Sequence, residues 1–190
     1  MDTAQAERLR KTLIKDEGQR LKVYEDSEGH LTVGVGHKVL PADNLKLGDT
    51  ITQEQSDAFF EGDMVNAVTD SKNFLPTVWG TLSPQRQNIV ANMAFNMGAD
   101  KLGEFEQFKK GLQTSNYQKA ANEMLSNYDP VTGIRTGSTP WSDQVHRRAD
   151  RLNHRMVENI YGSEIPWYTN AGFFIGDQID KGKNVLKKFF

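Results

Sequence analysis

Ala6, Leu9, Leu13 and Ile14 recur at helical spacing from about residue 4, and Gly18 stands where that helix needs a C-cap glycine. Glu17 therefore falls at the helix C-terminus. Past it the pattern changes to alternation. Leu21–Tyr24 predicts a short strand, Ser27–His30 a turn, and Leu31–Val35 a return strand whose Thr32 faces away from Leu31, Val33 and Val35. The stretch from Pro41 to Gly48 has loop composition. Thr52-Gln53-Glu54-Gln55 is a capping box that opens a long helix to about residue 70.

Beyond Pro76 the strand signals disappear. Ser83-Pro84 is an N-cap followed by proline at the first helical position, and Ile89, Val90, Met93, Ala94 and Met97 form an apolar stripe up to Gly98. Further helices are expected over 103–113, 116–127 and 142–160, with Gly133, Gly137 and Pro140 marking a loop before the last. The order predicts a mostly helical α+β fold, with a small β-hairpin lobe and a larger helical lobe joined by a long helix. The expected division is 1–70, 71–162 and a tail over 163–190, with the site in the cleft between lobes.

Composition narrows this picture. With 190 residues, 37% of them hydrophobic, the chain can bury a substantial core, and with no cysteine it holds no disulfide. A formal charge of −2 argues against a protein devoted to a nucleic-acid backbone, so no nucleic-acid partner is expected. Charge is uneven: residues 1–70 carry 8 Lys and Arg against 14 Asp and Glu, and the remainder 15 against 11. The acidic part is where carboxylate chemistry is to be sought. The first eight residues have no apolar run behind their charges, so neither a signal peptide nor a transmembrane anchor is expected.

Glu17 and Asp26 flank a short strand, one at a helix end and one entering a hairpin, so the chain can bring two carboxylates to one cleft. Cleavage of a glycosidic bond needs such a pair: a protonated acid for the leaving oxygen and an ionised group that drives or stabilises attack. The negative end of the helix dipole disfavours charge on Glu17, the direction a general acid needs. Spacing alone, however, favours a solvated surface pair, because most Asp and Glu are exposed. The Gly34-x-Gly36 segment lacks the third glycine of a dinucleotide loop, since position 39 is Val39. His30, His37, His146 and His154 lack any metal-ligand spacing, so no metal and no cofactor is expected.

The string Asp16-Glu17-Gly18-x-Arg20-Leu21-Lys22-x-Tyr24-x-Asp26-x-Glu28-Gly29-x-x-Thr32-x-Gly34-x-Gly36-His37 resembles the N-terminal signature of phage T4-type lysozymes, whose catalytic pattern is Glu, eight residues, Asp, five residues, Thr. The resemblance continues in Ile51-Thr52-Gln53-Glu54-Gln55 through Asp63, in Asn92-Met93-Ala94-Phe95-Asn96-Met97-Gly98, and in Trp141-x-x-Gln144-x-x-x-Arg148-Ala149-x-Arg151, covering about residues 6–161. It implies a lysozyme-like fold and a muramidase acting on the β-1,4 bond between N-acetylmuramic acid and N-acetylglucosamine in bacterial peptidoglycan. Glu17 is then the general acid, and Asp26 with Thr32 holds and activates water in an inverting reaction.

The resemblance assigns further residues. Glu28, Gly36, Lys38, Phe95, Asn96, Phe108 and Glu123 fall at expected sugar contacts, although Lys38 replaces an apolar family residue, and Phe108 and Glu123 replace small or amide ones. His37 pairs with Asp63 as a stabilising ion pair; Asp63 lies among Phe59, Phe60 and Ala67, so its carboxylate needs a partner. Gln144 and Arg148 support the site, with Arg148 as an ion pair to Glu17, whose guanidinium opposes the helix dipole. The loop from Val39 to Asp49 is shorter than in the best-known member, which implies a smaller sheet lobe.

The tail after Tyr161 has no counterpart in that family core. Ile175, Ile179, Gly182, Leu186 and Phe190 share one helical face, with Lys181, Lys183, Lys187 and Lys188 beside it, so the segment suits an anionic membrane surface or the helical lobe. The whole is expected to be a monomeric phage endolysin, held in the host cytoplasm until release to the periplasm or cell wall. The rivals are a virion-associated or secreted antibacterial muramidase, a peptidoglycan-binding module with a dead site, and a membrane-disrupting protein acting through its tail.

Overall fold

The computed structural model describes residues 1–128 and 134–158. Helix α1 (Thr3–Glu17) starts on Asp2, whose side chain accepts from the Gln5 N–H, and stops at Gly18 with φ 70°. Strands β1 (Arg20–Glu25), β2 (Leu31–Gly34) and β3 (His37–Lys38) form an antiparallel sheet in that order. In its register Thr32 pairs with Tyr24 on one side and with Lys38 on the other. The two residues of β3 were not expected as strand, because so short a segment shows no alternation of its own.

Helix α2 (Gln53–Phe74) opens on the Thr52 and Gln55 capping box and runs four residues past the expected end. It packs chiefly on α3 (Pro84–Gly103), which Ser83 caps and which kinks at Gly98, where φ is 77°. Helices α4 (Glu106–Gln113) and α5 (Tyr117–Leu125) follow. Two corrections belong to the next segment. Where only helices were expected, β4 (Ser126–Tyr128) and β5 (Arg135–Ser138) pair as an antiparallel hairpin. Their polar, glycine-containing sequence has no apolar face to announce a strand. Across the hairpin Asn127 Nδ2 donates to Ser138 O at 3.0 Å, and at its base the Thr139 hydroxyl donates to Met124 O at 2.9 Å and the Ser142 hydroxyl to Leu125 O at 3.0 Å.

The single helix expected over 142–160 is two, α6 (Pro140–Val145) and α7 (Arg147–Val157), divided at His146 with φ 40° and ψ −110°. No glycine or proline marks this break, and a histidine at positive φ is uncommon, so nothing local predicts it.

A large core joins α2, α3, α4, α5, α6 and α7 around Leu75, Ile89, Met93, Leu102, Phe108, Met124 and Met156. Leu9, Leu13, Val35, Phe60 and Ala91 form a second cluster under α1, and Val23, Val33 and Ile51 fill the space beneath the sheet. Residues 1–159 make one compact unit. The tail expected to be amphipathic lies outside the described residues. No described helix is long and apolar enough to cross a membrane.

Candidate active site

Because α1 stops at Gly18, Glu17 is the last helical residue, and β1 leads straight from it to Asp26. The Glu17 carboxyl is 18% exposed and its Oε1 accepts from Arg148 Nη1 at 2.6 Å. Gly36, with φ 72°, comes in from the turn between β2 and β3. The positive φ would strain any side chain there, and its Cβ would touch Glu17 Oε2 at 3.4 Å.

Asp26 is pinned from its own turn: Oδ1 accepts the N–H groups of Glu28 and His30, each at 2.9 Å. The His30 N–H is the main reason its pKa lies below the ordinary carboxylate value; burial opposes it, and the Glu28 N–H, the His30 ring and Thr32 add to the lowering. Thr32 is 5% exposed, and its single hydroxyl proton has two acceptors in reach, Asp26 Oδ2 at 3.4 Å and His30 O at 3.3 Å. Tyr24, opposite Thr32 in the sheet, ties the two acids together. Its pKa is raised, first by burial and then by the charges of Glu17 and Asp26, while Arg20, stacked 4.6 Å over its ring, opposes them. An ionised Asp26 and a carboxyl at Glu17 therefore act on one phenol.

Behind Glu17 lies a polar cluster that the sequence reasoning did not assign. Arg148 donates from Nε to Asn92 Oδ1 at 2.8 Å and from Nη2 to Asn92 O at 3.3 Å. Asn92 Nδ2 in turn donates to Asp16 Oδ2 at 3.2 Å, and Arg151 Nη2 reaches both oxygens of Asp16 at 2.6 and 2.8 Å. Asp16, Asn92 and Arg151 all sit in the motif strings quoted above, the one sequence signal that marked them.

His37 is buried beneath Lys38, stacked on Phe59 with ring centroids 4.2 Å apart. Its Nδ1 meets Asp63 Oδ2 at 2.7 Å, the expected partner, and its Nε2 meets Asp43 Oδ2 at 3.2 Å, a second partner the sequence did not suggest. Burial alone lowers the His37 pKa, but the bonds and charges of Asp63 and Asp43 outweigh it and the value is raised.

The remaining expected contacts separate into groups. Gly36, Lys38 and Phe95 line a cleft of about 210 Å³ together with Leu40, Asp63, Asn66 and Asp70. A larger open hollow of about 640 Å³ runs along β1 and meets the acid pair's surroundings at Tyr24. Asn96 is half-buried, and its Oδ1 accepts from Trp141 Nε1 at 2.9 Å. Glu28 Oε1 meets Lys101 Nζ at 3.2 Å and Gln144 Nε2 at 3.5 Å, so Gln144 reaches the site through Glu28.

Phe108 requires a correction. It is 0% exposed, packed with Phe74, Phe105 and the large core, so it offers no surface to a sugar; an aromatic in place of a small residue has been drawn inward. Glu123 is half-buried on α5, where burial raises its pKa and Lys119 opposes, and it is not among the residues lining the cleft. Among the described residues no group of three or more His, Cys, Asp or Glu is placed to hold a metal ion.

The family model described as phage lysozyme matches residues 14–151. The chain is 27% identical over 165 residues to a probable T4-type lysozyme 2 of Dictyostelium discoideum, covering 76% of this chain and 90% of that one. It is 32% identical over 123 residues to an endolysin of Acyrthosiphon pisum secondary endosymbiont phage 1, covering 63% and 77%. It is also 29% identical over 128 residues to the pre-baseplate central spike protein Gp5 of Enterobacteria phage T4, covering 57% of this chain and 22% of that protein.

Proposed function

Since this chain belongs to the phage lysozyme family and is a lysozyme-type glycosidase, we propose that it cleaves the muramic acid to glucosamine β-1,4 bond of peptidoglycan with inversion. Glu17 gives its proton to the leaving glycosidic oxygen as the bond from C1 breaks. A water held between Asp26 and the Thr32 hydroxyl attacks C1 from the opposite face and passes a proton to Asp26. Asp26 then releases its proton to solvent, Glu17 takes one up, and each turnover consumes one water.

The observation that carries this reading is the difference between the bonds the two acids make. Asp26 is kept ionised by two backbone N–H groups and stands beside a hydroxyl, as a water-activating base requires. Glu17 is fixed by a guanidinium on one oxygen and approached by Gly36 at the other. The test is proton NMR of the first product released from purified peptidoglycan: the new reducing end should appear as the α-anomer. A β-anomer would make Asp26 a nucleophile instead.

The biological role that fits is host lysis as an endolysin, with the enzyme waiting in the host cytoplasm and acting at the wall after release. The name of the Acyrthosiphon pisum endosymbiont phage relative supports it. A second reading, a virion-associated or secreted antibacterial muramidase, draws on the baseplate-spike and Dictyostelium relatives. Expression of the chain in a Gram-negative cell, with and without permeabilised inner membrane, separates these roles: an endolysin lyses the cell once the membrane is opened.

A further inference from the structure

We propose that Asn92, oriented by Asp16, is a positioning residue that seats the Arg148 guanidinium on Glu17 and so sets the pH range in which the acid works. The proposal rests on the reading of Glu17 as proton donor. Asn92 is 1% exposed, and the Asp16 and Arg148 side chains are 4% and 8% exposed, so no solvent competes for their bonds.

The chemistry of the three groups leaves one arrangement. A guanidinium only donates and a carboxylate only accepts, whereas an amide carries one donor end and one acceptor end. Between Arg148 and Asp16 the amide can satisfy both neighbours only with Oδ1 toward the arginine and Nδ2 toward the aspartate, which is the orientation found, at 2.8 and 3.2 Å. Asp16 is itself locked by Arg151. With Nε on Asn92 Oδ1 and Nη2 on Asn92 O, the guanidinium plane is set from behind, and Nη1 meets Glu17 at 2.6 Å. Direct contact with Asp16 does not do this, because its Oδ2 lies 3.5 Å from Arg148 Nε.

The charged and titratable groups around Glu17 are Arg148 from α7, Asp16 from α1 and Tyr24 from β1, with Arg20 and Asp26 acting on Tyr24. The turn between β2 and β3 adds the uncharged Gly36, and α3 adds the amide of Asn92.

The experiment is kcat and KM against pH on soluble peptidoglycan fragments. Asn92→Asp keeps the shape but faces one carboxylate with another, removes the donor to Asp16 and draws Arg148 off Glu17. We expect kcat to fall about tenfold, the scale of a mispositioned acid, with KM within about twofold. The limb where activity falls with rising pH should move up by about one unit, because a released carboxyl beside new negative charge holds its proton longer. The reciprocal pair, Asp16→Asn with Asn92→Asp, restores the net charge and the donor–acceptor bond between positions 16 and 92, and leaves one oxygen at position 16 for Arg151. It should recover kcat to within about threefold of the unaltered enzyme, less than ~1 kcal/mol in barrier, and return the limb to its place.

A wild-type pH profile in Asn92→Asp overturns the proposal, and so does lowered thermal stability with an unmoved limb. Failure of the reciprocal pair to restore the profile overturns it as well. That pair decides the matter even where Asn92→Asp does not fold. An active Glu17→Gln variant would instead sink the assignment of the acid, whatever Asn92 does.

Discussion

Arg148 Nη1 donates to Glu17 Oε1 at 2.6 Å across 131 residues of chain. Two helix ends meet there: Glu17 closes α1, and Arg148 lies in the first turn of α7, just past the break at His146. An ion pair this close, with both side chains largely shielded, is shielded from salt far better than a surface pair. It also gives the acid a fixed direction, which a solvated glutamate lacks.

Glu17→Gln should abolish turnover and leave the fold intact, since an amide has no proton to give the leaving oxygen. A positioned acid is worth about 10²–10⁴-fold. Reducing-end release from peptidoglycan measures the loss and circular dichroism the fold. More than about a tenth of the original rate would rule Glu17 out as the donor.

Asp63→Asn should lower the melting temperature and leave turnover at low temperature nearly unchanged. Breaking a buried pair costs about 3–5 kcal/mol; here about 1–3 kcal/mol is expected, because Asp63 is 30% exposed and Asp43 still holds the other ring nitrogen. The sign with pH follows from the raised His37 value. The stabilisation is complete below about 6.5, the ordinary histidine value, and fades as pH climbs through the higher folded one. The melting difference between the variant and the parent should therefore be largest in mild acid and shrink in alkali. A constant difference across pH 5–9 would show that charge on His37 contributes nothing.

Phe108→Ala should be a stability variant. The side chain is wholly buried against Phe74 and Phe105, so truncation costs about 3–5 kcal/mol. Urea titration gives that number, and KM measured well below the melting temperature should stay within about twofold, a change below ~0.5 kcal/mol in binding. A large rise in KM without loss of stability would return Phe108 to the sugar-binding surface.

Truncation after Tyr161 should leave turnover on purified peptidoglycan within about threefold, since Glu17, Asp26, Thr32 and Arg148 all precede it. The same truncation should weaken binding to anionic vesicles, an association that salt reduces if Lys181, Lys183, Lys187 and Lys188 drive it. Loss of the melting transition would mean that Ile175, Ile179 and Leu186 belong to the core, and the membrane role would be dropped.

The sequence by itself determined what depends on neighbours in the chain. Gly18, Thr52 and Ser83 end or begin helices through bonds that span three or four residues, and all three do so here. Glu17, Asp26 and Thr32 could be placed locally, on a helix end, a turn and a strand within one short stretch, but spacing alone favoured a solvated pair and the resemblance to T4-type lysozymes singled them out. The break at His146, the Asp43 contact to His37 six residues away and the pairing of β4 with β5 also involve nearby stretches of chain, but no apolar pattern marks them. What tertiary structure decided lies farther apart. Asn92 is marked in the sequence only by its place in the Asn92–Gly98 string. Its place between Asp16 and Arg148, 76 residues back and 56 ahead, depends on α1, α3 and α7 packing together, since a buried amide takes its orientation from whatever donor and acceptor the fold sets against it.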